Sequence, residues 1–246
     1  MTDPSRDAAR WAVVTGASSG IGHAFARSLA ADGFQVLACA RRVEALEALA
    51  REAPGVTPQR CDVTVAADRA ALRAALEDRA GGLDLLVNNA GVQTPMDFTA
   101  GVDEATVRRE IETNLLAPVV LTAELVPLLR QRSGSTIVNI SSGLALAPKR
   151  SAPVYCATKA ALSSFSRGLR YQLAPQVRVV DVITPLVRTP MTEGRGGKAM
   201  EPDAFVRAVR RGLRRGRDEI YVGETKALRV LVRVAPSVAY GLLRKF

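Results

Sequence analysis

Short apolar runs alternate with longer helical patterns along most of the chain, and this alternation restricts the fold more than any other feature. The predicted strands are residues 11–15, 34–40, 56–62, 83–89, 135–141, 177–183 and 219–223. The predicted helices between them are residues 21–32, 42–52, 66–79, 103–131, 155–173 and 202–214. Several strands are continuously apolar, as expected when helices cover both faces of a sheet. Repeated strand–helix units predict one doubly wound α/β domain with a parallel sheet of about seven strands.

The end of the chain departs from this alternation. Residues 1–223 are predicted to form the α/β domain, and residues 224–246 an amphipathic extension. Its apolar residues are interspersed with cations, which predicts one or two short helices broken at Pro236. We consider three placements for the extension: packed on the domain, on a subunit neighbour, or on an anionic membrane surface.

Composition limits the partner and the compartment. The net charge of +10 makes nucleic acid a candidate partner. In the densest basic run, residues 205–219, apolar residues recur every four positions. We therefore interpret the basic residues as the solvated face of a helix. No nucleic-acid partner is predicted. The amino terminus is polar, and no uncharged apolar run reaches about 18 residues. The three cysteines form no CxxC pair. These features predict a cytoplasmic protein with free thiols.

The first predicted strand runs directly into TGASSGIG, residues 15–22, and a helical pattern follows. This context is typical of a glycine turn that binds a phosphate. Gly16 permits a tight turn, Gly20 lets the backbone approach a pyrophosphate, and Gly22 allows close packing of helix on strand. The amides and the dipole at the helix N-terminus favour the negative group.

The same turn matches the G-x-S-x-G nucleophile elbow of hydrolases, with Ser18 at its centre. That mechanism needs a histidine later in the chain. The only histidine is His23, which follows Ser18 closely on the same predicted helix and cannot complete a triad. A hydrolase of this class is therefore excluded, and His23 is predicted to lie on the helix surface without a metal site.

The end of the second strand indicates which dinucleotide binds. NAD sites usually place an acidic residue there for the ribose 2′-hydroxyl. This chain has Arg41 and Arg42 instead, and two guanidinium groups can pair with a 2′-phosphate. NADP(H) is therefore preferred over NAD(H), which remains the alternative cofactor. The competing interpretation is that both arginines start the next helix and point to solvent.

Six motifs then occur in order along the chain. They are TGASSGIG, Asp62 in RCDVT, NNAG at 88–91, Asn114 in ETNLLAP, Ser142 in IVNISSG and YCATK at 155–159. Over residues 10–192 the chain thus resembles the short-chain dehydrogenase/reductase family. The resemblance implies a Rossmann-type fold, a nicotinamide cofactor and a catalytic set of Asn114, Ser142, Tyr155 and Lys159. Ser142 is chosen over Ser141 because the family's serine lies thirteen residues before its tyrosine.

The chemistry of a carbonyl group explains such a set. A carbonyl that receives a hydride develops negative charge on oxygen, and it needs a proton donor and hydrogen bonds there. Lys159 lies one helical turn after Tyr155, where its ammonium favours the phenolate. In the family, the serine hydroxyl holds the substrate oxygen and the asparagine disrupts its helix and holds a water of a proton relay.

The resemblance also implies cofactor contacts. The predicted set is Gly16, Ser18, Ser19, Gly20, Ile21, Gly22, Arg41, Arg42, Asp62, Val63, Asn89, Ala90, Gly91, Tyr155, Lys159, Val187 and Thr189. Asp62 would meet the adenine amino group, and Val187 and Thr189 the nicotinamide carboxamide. The chain departs from the family at Thr184-Pro185, which stands where Pro-Gly is usual, and Pro cannot adopt the positive φ that Gly allows.

The resulting hypothesis is an NADPH-dependent oxidoreductase that reduces a ketone or aldehyde, or oxidises the matching alcohol, by hydride transfer. The alternative is a cofactor-binding regulator without turnover. The substrate is expected to be hydrophobic, in a pocket formed by Leu144, Leu146, Tyr155, Met191 and residues 192–201, with Gly194, Gly196 and Gly197 as a mobile lid. The family resemblance implies a homodimer or homotetramer, paired through residues 103–131 and 155–173.

Overall fold

The computed structural model describes residues 9–194 and 198–244. Its strands are β1 (Arg10–Thr15), β2 (Phe34–Ala40), β3 (Val56–Arg60), β4 (Leu85–Asn88), β5 (Thr136–Ile140), β6 (Arg178–Ile183) and β7 (Glu219–Tyr221). They form one parallel sheet in the order β3-β2-β1-β4-β5-β6-β7. The prediction of a single doubly wound Rossmann-type sheet with about seven strands is confirmed.

The helices follow the predicted alternation closely. They are α1 (Gly20–Ala30), α2 (Val43–Glu52), α3 (Ala66–Ala80), α4 (Glu104–Ile111), α5 (Ala117–Leu129), α6 (Pro153–Leu173), α7 (Pro202–Arg214), α8 (Thr225–Val234) and α9 (Pro236–Leu243). The predicted helix 103–131 is α4 and α5 joined by a π-helical turn at Glu112–Leu116. The extension forms two helices, with Pro236 at the start of the second.

The strand order creates the site where a ligand can bind. The chain winds from β1 outwards to β2 and β3, and then returns to place β4 on the other side of β1. The loops that leave β1 and β4 therefore diverge to opposite faces, which opens a crevice at the carboxyl ends of the strands. Successive residues of β1 point to opposite faces of the sheet. Ala12 and Val14 accordingly belong to one hydrophobic core cluster, and Val13 belongs to the other.

By length and composition alone, the continuous helix Glu104–Leu129, which comprises α4, the π turn and α5, could cross a membrane. The sequence pattern did not predict this, because charged residues interrupt the segment. Its packing explains this composition. Leu121, Leu125 and Leu129 are fully buried in the core cluster beneath the sheet. Glu110 of α4 is also completely buried, and its Oε1 accepts from the Thr94 amide over 3.0 Å.

The arginine-rich helix α7 has the orientation that its sequence pattern predicts. Phe205 and Val209 are fully buried against α1. Arg210 pairs with Asp32 and donates to Ser28 Oγ over 2.7 Å. The basic residues thus lie on the outer face, where some of them fasten α7 to α1.

A row of polar residues crosses the middle of the sheet. Asn88, Asn139, Asp181 and Glu219 are partners in register on four adjacent strands. Asn88 Nδ2 donates to Asn139 Oδ1 over 2.8 Å, and Asn139 Nδ2 donates to Ser166 Oγ of α6 over 2.8 Å. These bonds use the amide NH₂ groups of both asparagines, whose burial would otherwise be costly, while Asn88 Oδ1 accepts no hydrogen bond among the described residues.

Asp181 is the member of this row that lies on β6. It is buried, and its Oδ1 accepts no hydrogen bond among the described residues. Burial raises the pKa of its carboxyl from 3.8 to about 6, although a hydrogen bond with Ser163 and the charges of Arg170 and Lys159 oppose the rise. The ionised form is therefore disfavoured in the folded state.

We expect Asp181→Asn to change how stability depends on pH. In the wild type, the stabilising effect of a raised acid pKa is complete below pH 4 or so and is lost as the pH rises through about 6. Relative to the wild type, the variant should gain up to about 3 kcal/mol in the free energy of unfolding between pH 4 and pH 8. Urea titrations across that range measure this difference. Asp78→Asn, at an exposed position of α3, is the control, and a difference that stays constant with pH would contradict the prediction.

Candidate active site

A cleft of about 2030 Å³ lies at the carboxyl ends of the strands. Pockets that bind drug-sized ligands measure roughly 300–1,000 Å³. The cleft is larger and therefore has room for a dinucleotide together with a substrate. All the predicted cofactor residues line it except Gly22. Of the predicted catalytic residues, Ser142, Tyr155 and Lys159 line the cleft, while Asn114 is fully buried behind it.

The glycine turn is packed too closely to accept side chains. Gly16 has a φ of 67°, and a Cβ there would lie 2.9 Å from Ala90 Cα. A Cβ on Gly22 would collide with the carbonyl oxygen of Gly16. Glycine at these two positions therefore lets α1 begin directly against the end of β4, with its first amides at the cleft.

The ends of β1 and β4 are fastened to each other beside this turn. Thr15 Oγ1 accepts from the amides of Asn89 and Ala90, each over 3.0 Å, and donates to the carbonyl of Val87. Asn89 Nδ2 donates to the Thr15 carbonyl over 2.9 Å. The floor of the cleft is thus a fixed backbone surface.

The two arginines after β2 line the cleft and do not belong to α2, which begins at Val43. Arg42 Nη2 donates to Ser18 Oγ over 3.1 Å and to Ser19 Oγ over 3.2 Å. The Arg41 side chain is largely exposed and lies 4.0 Å from the Asp62 carboxylate. Two cations and two hydroxyls thus line this end of the cleft, and such groups suit a phosphate.

Asp62 follows β3 at the same edge of the cleft. Its Oδ1 accepts from the Thr64 amide over 3.0 Å and from the Thr64 hydroxyl over 2.7 Å. Burial opposes ionisation, but these two bonds and the nearby arginines outweigh it, so the pKa of Asp62 lies below its usual value. Asp62 therefore presents a fixed acceptor to the cleft, with Val63 beside it.

The two serines after β5 point in different directions. Ser141 is buried, and its Oγ lies 2.7 Å from Ser163 Oγ, on the side of α6. Ser142 lines the cleft, and its Oγ accepts from the Leu144 amide over 3.1 Å. Because this bond uses the oxygen as acceptor, the hydroxyl proton of Ser142 can be donated to a ligand.

Tyr155 and Lys159 lie on one face of α6, as the spacing predicts. Lys159 Nζ is 5.7 Å from the centroid of the Tyr155 ring. Nζ donates to the carbonyl of Ile140, the last residue of β5, over 2.9 Å. Burial lowers the pKa of Lys159 to about 8, against the charge of Asp181, which raises it.

Asn114 sits in the π-helical turn between α4 and α5. Its Oδ1 accepts from the Val92 amide and its Nδ2 donates to the Val92 carbonyl, each over 2.8 Å. A Cβ on Gly91 would lie 3.1 Å from Asn114 Oδ1 and 3.7 Å from Lys159 Nζ. The π turn thus directs the Asn114 carboxamide at Gly91 and Val92, just after β4, and Gly91 also lies near Lys159. The relay water remains a prediction.

The loop after β6 closes the cleft from above. Val187 forms a parallel bridge with Met200, and the Met200 amide donates to the Leu186 carbonyl over 2.8 Å. The Arg188 amide also donates to the Met200 carbonyl over 2.9 Å, so Met200 is fixed beside Val187. The Thr189 methyl occupies the position next to Gly20, 2.7 Å from where a Cβ on Gly20 would stand.

The residues predicted to form the substrate pocket do not all line the cleft. Leu144, Tyr155, Met191, Thr192 and Lys198 line the cleft. The prediction for Leu146 is wrong: after the 3₁₀ turn Gly143–Ala145, its side chain faces a smaller pocket with Arg167 and Arg229. The proposed lid residues Gly196 and Gly197 lie outside the described residues, while Gly194 is described.

Sequence reasoning missed two residues that bear on the site. Asp181 acts electrostatically on Lys159, and its signal was a single acid inside the apolar run VRVVDVI. Thr225 donates to the carbonyl of Ile183 over 3.2 Å, which fixes the start of α8 at the cleft. No sequence signal distinguishes Thr225 from other threonines in amphipathic helices.

The residues present fit a nicotinamide dinucleotide. A tight backbone cradle at Gly16 and Gly22 opens a helix N-terminus, Asp62 offers an acceptor, and Arg41 and Arg42 offer cations. These donors and acceptors are the groups that a pyrophosphate, an adenine amino group and a 2′-phosphate require.

Known proteins share both the sequence and the fold. The family model for short chain dehydrogenases matches residues 10–199. The uncharacterized oxidoreductase DltE of Bacillus subtilis is 36% identical over 229 residues, which cover 90% of this chain and 91% of DltE. Bovine L-fucose dehydrogenase is 32% identical over 208 residues, covering 84% of this chain and 77% of that enzyme.

Solved structures agree. A short chain dehydrogenase from Burkholderia cenocepacia in complex with NADP superposes with a TM-score of 0.86 at 28% identity, covering 96% of this chain and 98% of the other. A short-chain dehydrogenase from Sphingobium yanoikuyae in complex with NADPH gives a TM-score of 0.80 at 30% identity, covering 95% and 94%. The chain therefore belongs to the short-chain dehydrogenase/reductase family and is a nicotinamide-dependent oxidoreductase of alcohol or carbonyl groups.

Proposed function

We propose that this protein is an NADPH-dependent reductase of ketones or aldehydes in which Tyr155 is the general acid. The observation that carries the proposal is the grouping of Ser142, Tyr155 and Lys159 at one wall of a cleft whose other end holds Arg41 and Arg42. The reverse reaction would use Tyr155 as the base. NADP(H) fits a reductive role, because cells usually keep that pool reduced.

Residues around the glycine turn, with Arg41 and Arg42, would hold the dinucleotide, which would supply a hydride to the carbonyl carbon. Ser142 donates its hydroxyl proton in a hydrogen bond to the substrate oxygen, and Tyr155 transfers a proton to that oxygen as charge develops. Lys159 is fixed by the Ile140 carbonyl, and its ammonium favours the phenolate that forms. Asn114 holds the backbone at Val92, so the cleft floor keeps its shape.

Exposed apolar residues support the oligomer that the resemblance implies. Ile111 and Leu116, at the junction of α4 and α5, are 41% and 53% exposed. Such residues are typical of surfaces that pair with another subunit. We propose a homodimer or homotetramer that uses this face.

Removing the phenol should abolish proton transfer. We expect Tyr155→Phe to lower kcat for carbonyl reduction about 10²–10⁴-fold, with the Kd for NADPH changed little because the ring is kept. The loss of NADPH absorbance and a fluorescence titration measure the two quantities. Tyr171→Phe is the matched control, since Tyr171 lies on the same helix and is 75% exposed. Full activity in Tyr155→Phe would refute the mechanism.

The arginines should set the cofactor preference. Each charge-assisted hydrogen bond contributes about 1.5–3 kcal/mol. We therefore expect Arg41→Ala and Arg42→Ala each to lower the ratio of kcat/KM for NADPH over NADH roughly tenfold or more. Arg73→Ala, on the exposed side of α3, is the control. An unchanged ratio in both variants would contradict the NADP assignment.

The lysine should set the upper pH limit of reduction. Burial lowers the pKa of Lys159 to about 8, so its ammonium is present below that pH and lost above it. We expect kcat/KM for reduction to hold up to pH 8 or so and to fall above it. In Asp181→Asn the fall should begin at lower pH, because the Asp181 charge raises the pKa of Lys159. Profiles that coincide in the two proteins would remove Asp181 from this role.

A further inference from the structure

The C-terminal extension forms one wall of the active-site cleft. Leu228, Leu231 and Val234 recur at helical spacing on α8 and all line the cleft, as does Leu242 of α9. Helix α8 has ten residues, so this apolar face runs for about 15 Å. Arg229 and Arg233, on the opposite face of α8, line the smaller pocket behind it.

The start of α8 is fixed directly beside the catalytic serine. Gly143 follows Ser142, and a Cβ on it would lie 3.2 Å from Thr225 Cγ2 and 3.5 Å from Leu228 Cδ2. Thr225 itself is buried and bonded to the Ile183 carbonyl at the end of β6. The wall therefore begins against Gly143, the residue that follows Ser142.

The opposite face of α8 fixes its rotation. The Arg229 guanidinium lies 4.4 Å from the centroid of the Tyr221 ring and 4.0 Å from the Glu219 carboxylate. These contacts hold the basic face of α8 against β7 and leave the apolar face turned towards the cleft. The second helix, α9, packs on α8 through the fully buried Ala239.

This apolar wall is poorly covered. Val230 and Val234 line the cleft, yet they are 59% and 79% exposed, and Leu242 is 53% exposed. Contiguous exposed apolar surface usually marks a binding site. Here it is continuous with the site of Ser142 and Tyr155, so the occupant that would cover it is the part of the substrate beyond the carbonyl group.

We propose that α8 and α9 select a carbonyl substrate with an extended apolar chain or ring system, which lies along α8 while its carbonyl group meets Ser142 and Tyr155. This inference rests on the proposed reductase function. Transfer of one methylene from water to an apolar surface changes an equilibrium about fourfold. Affinity should therefore rise with each carbon along the wall.

The test compares a series of alkan-2-ones from butanone to decan-2-one. Their displacement of the apolar fluorophore N-phenyl-1-naphthylamine reports binding without turnover, and NADPH consumption reports kcat/KM. In the wild type, both should rise about two- to fourfold per methylene. The double variant Val230→Ser with Val234→Ser should lower the ratio of decan-2-one to butanone about tenfold or more in both measurements.

Val238→Ser is the matched control, because Val238 is 58% exposed on α9 but does not line the cleft. It should keep the wild-type ratio. Two results would overturn the proposal that α8 and α9 bind the substrate chain, and both would leave the reductase function intact. One is a kcat/KM that does not depend on chain length. The other is a fall in the decan-2-one to butanone ratio in Val238→Ser equal to that in the double variant. Displacement that depends on chain length without reduction of any ketone would overturn the reductase function and support the wall.

Discussion

The hydrogen bond from Lys159 Nζ to the carbonyl of Ile140 is the contact on which the geometry of the site depends. Burying an ammonium is costly unless its donors are used, and this bond uses one of them at the end of β5. The bond therefore fixes α6 against the strand that Ser141 and Ser142 follow. Tyr155, one turn earlier on α6, lines the same cleft as Ser142.

The buried row of polar residues supports this arrangement from below. Asn139 bonds to Ser166, and Ser163 bonds to Asp181 and contacts Ser141, so the face of α6 beneath the site is held by polar contacts. Polar groups specify one register of helix on sheet, because a shifted helix would leave them unsatisfied. The carboxylate of Asp181 also raises the pKa of Lys159, so the same row couples packing to the charge of the lysine.

The sequence predicted those parts of the structure that local patterns determine. Strand β2 and helix α7 have the predicted bounds, because an apolar run and a 3.6-residue period are visible within each segment. The glycine turn was predicted because a side chain at Gly16 or Gly22 would clash with backbone atoms. Only glycine fits at these positions, so the turn leaves a visible pattern in the sequence. Leu146 was placed wrongly, since a 3₁₀ turn rotates it away and nothing in the sequence marks that turn. The effect of Asp181 on Lys159 was not predicted, because it depends on the register between β6 and α6.

The loop that carries Thr184-Pro185 lies against the turn that precedes the C-terminal extension. Pro185, in the loop after β6, lies beside the turn that starts α8: a Cβ on Gly223 would be 3.6 Å from Pro185 Cγ and 3.3 Å from Met200 Cε. The Thr184 carbonyl accepts from the Gly143 amide over 2.9 Å. A proline has no amide hydrogen to satisfy and presents an apolar ring, so it suits a position where the loop must support another apolar element. Pro185 thus packs the loop after β6 against the turn from which α8, the apolar wall proposed for the substrate, begins.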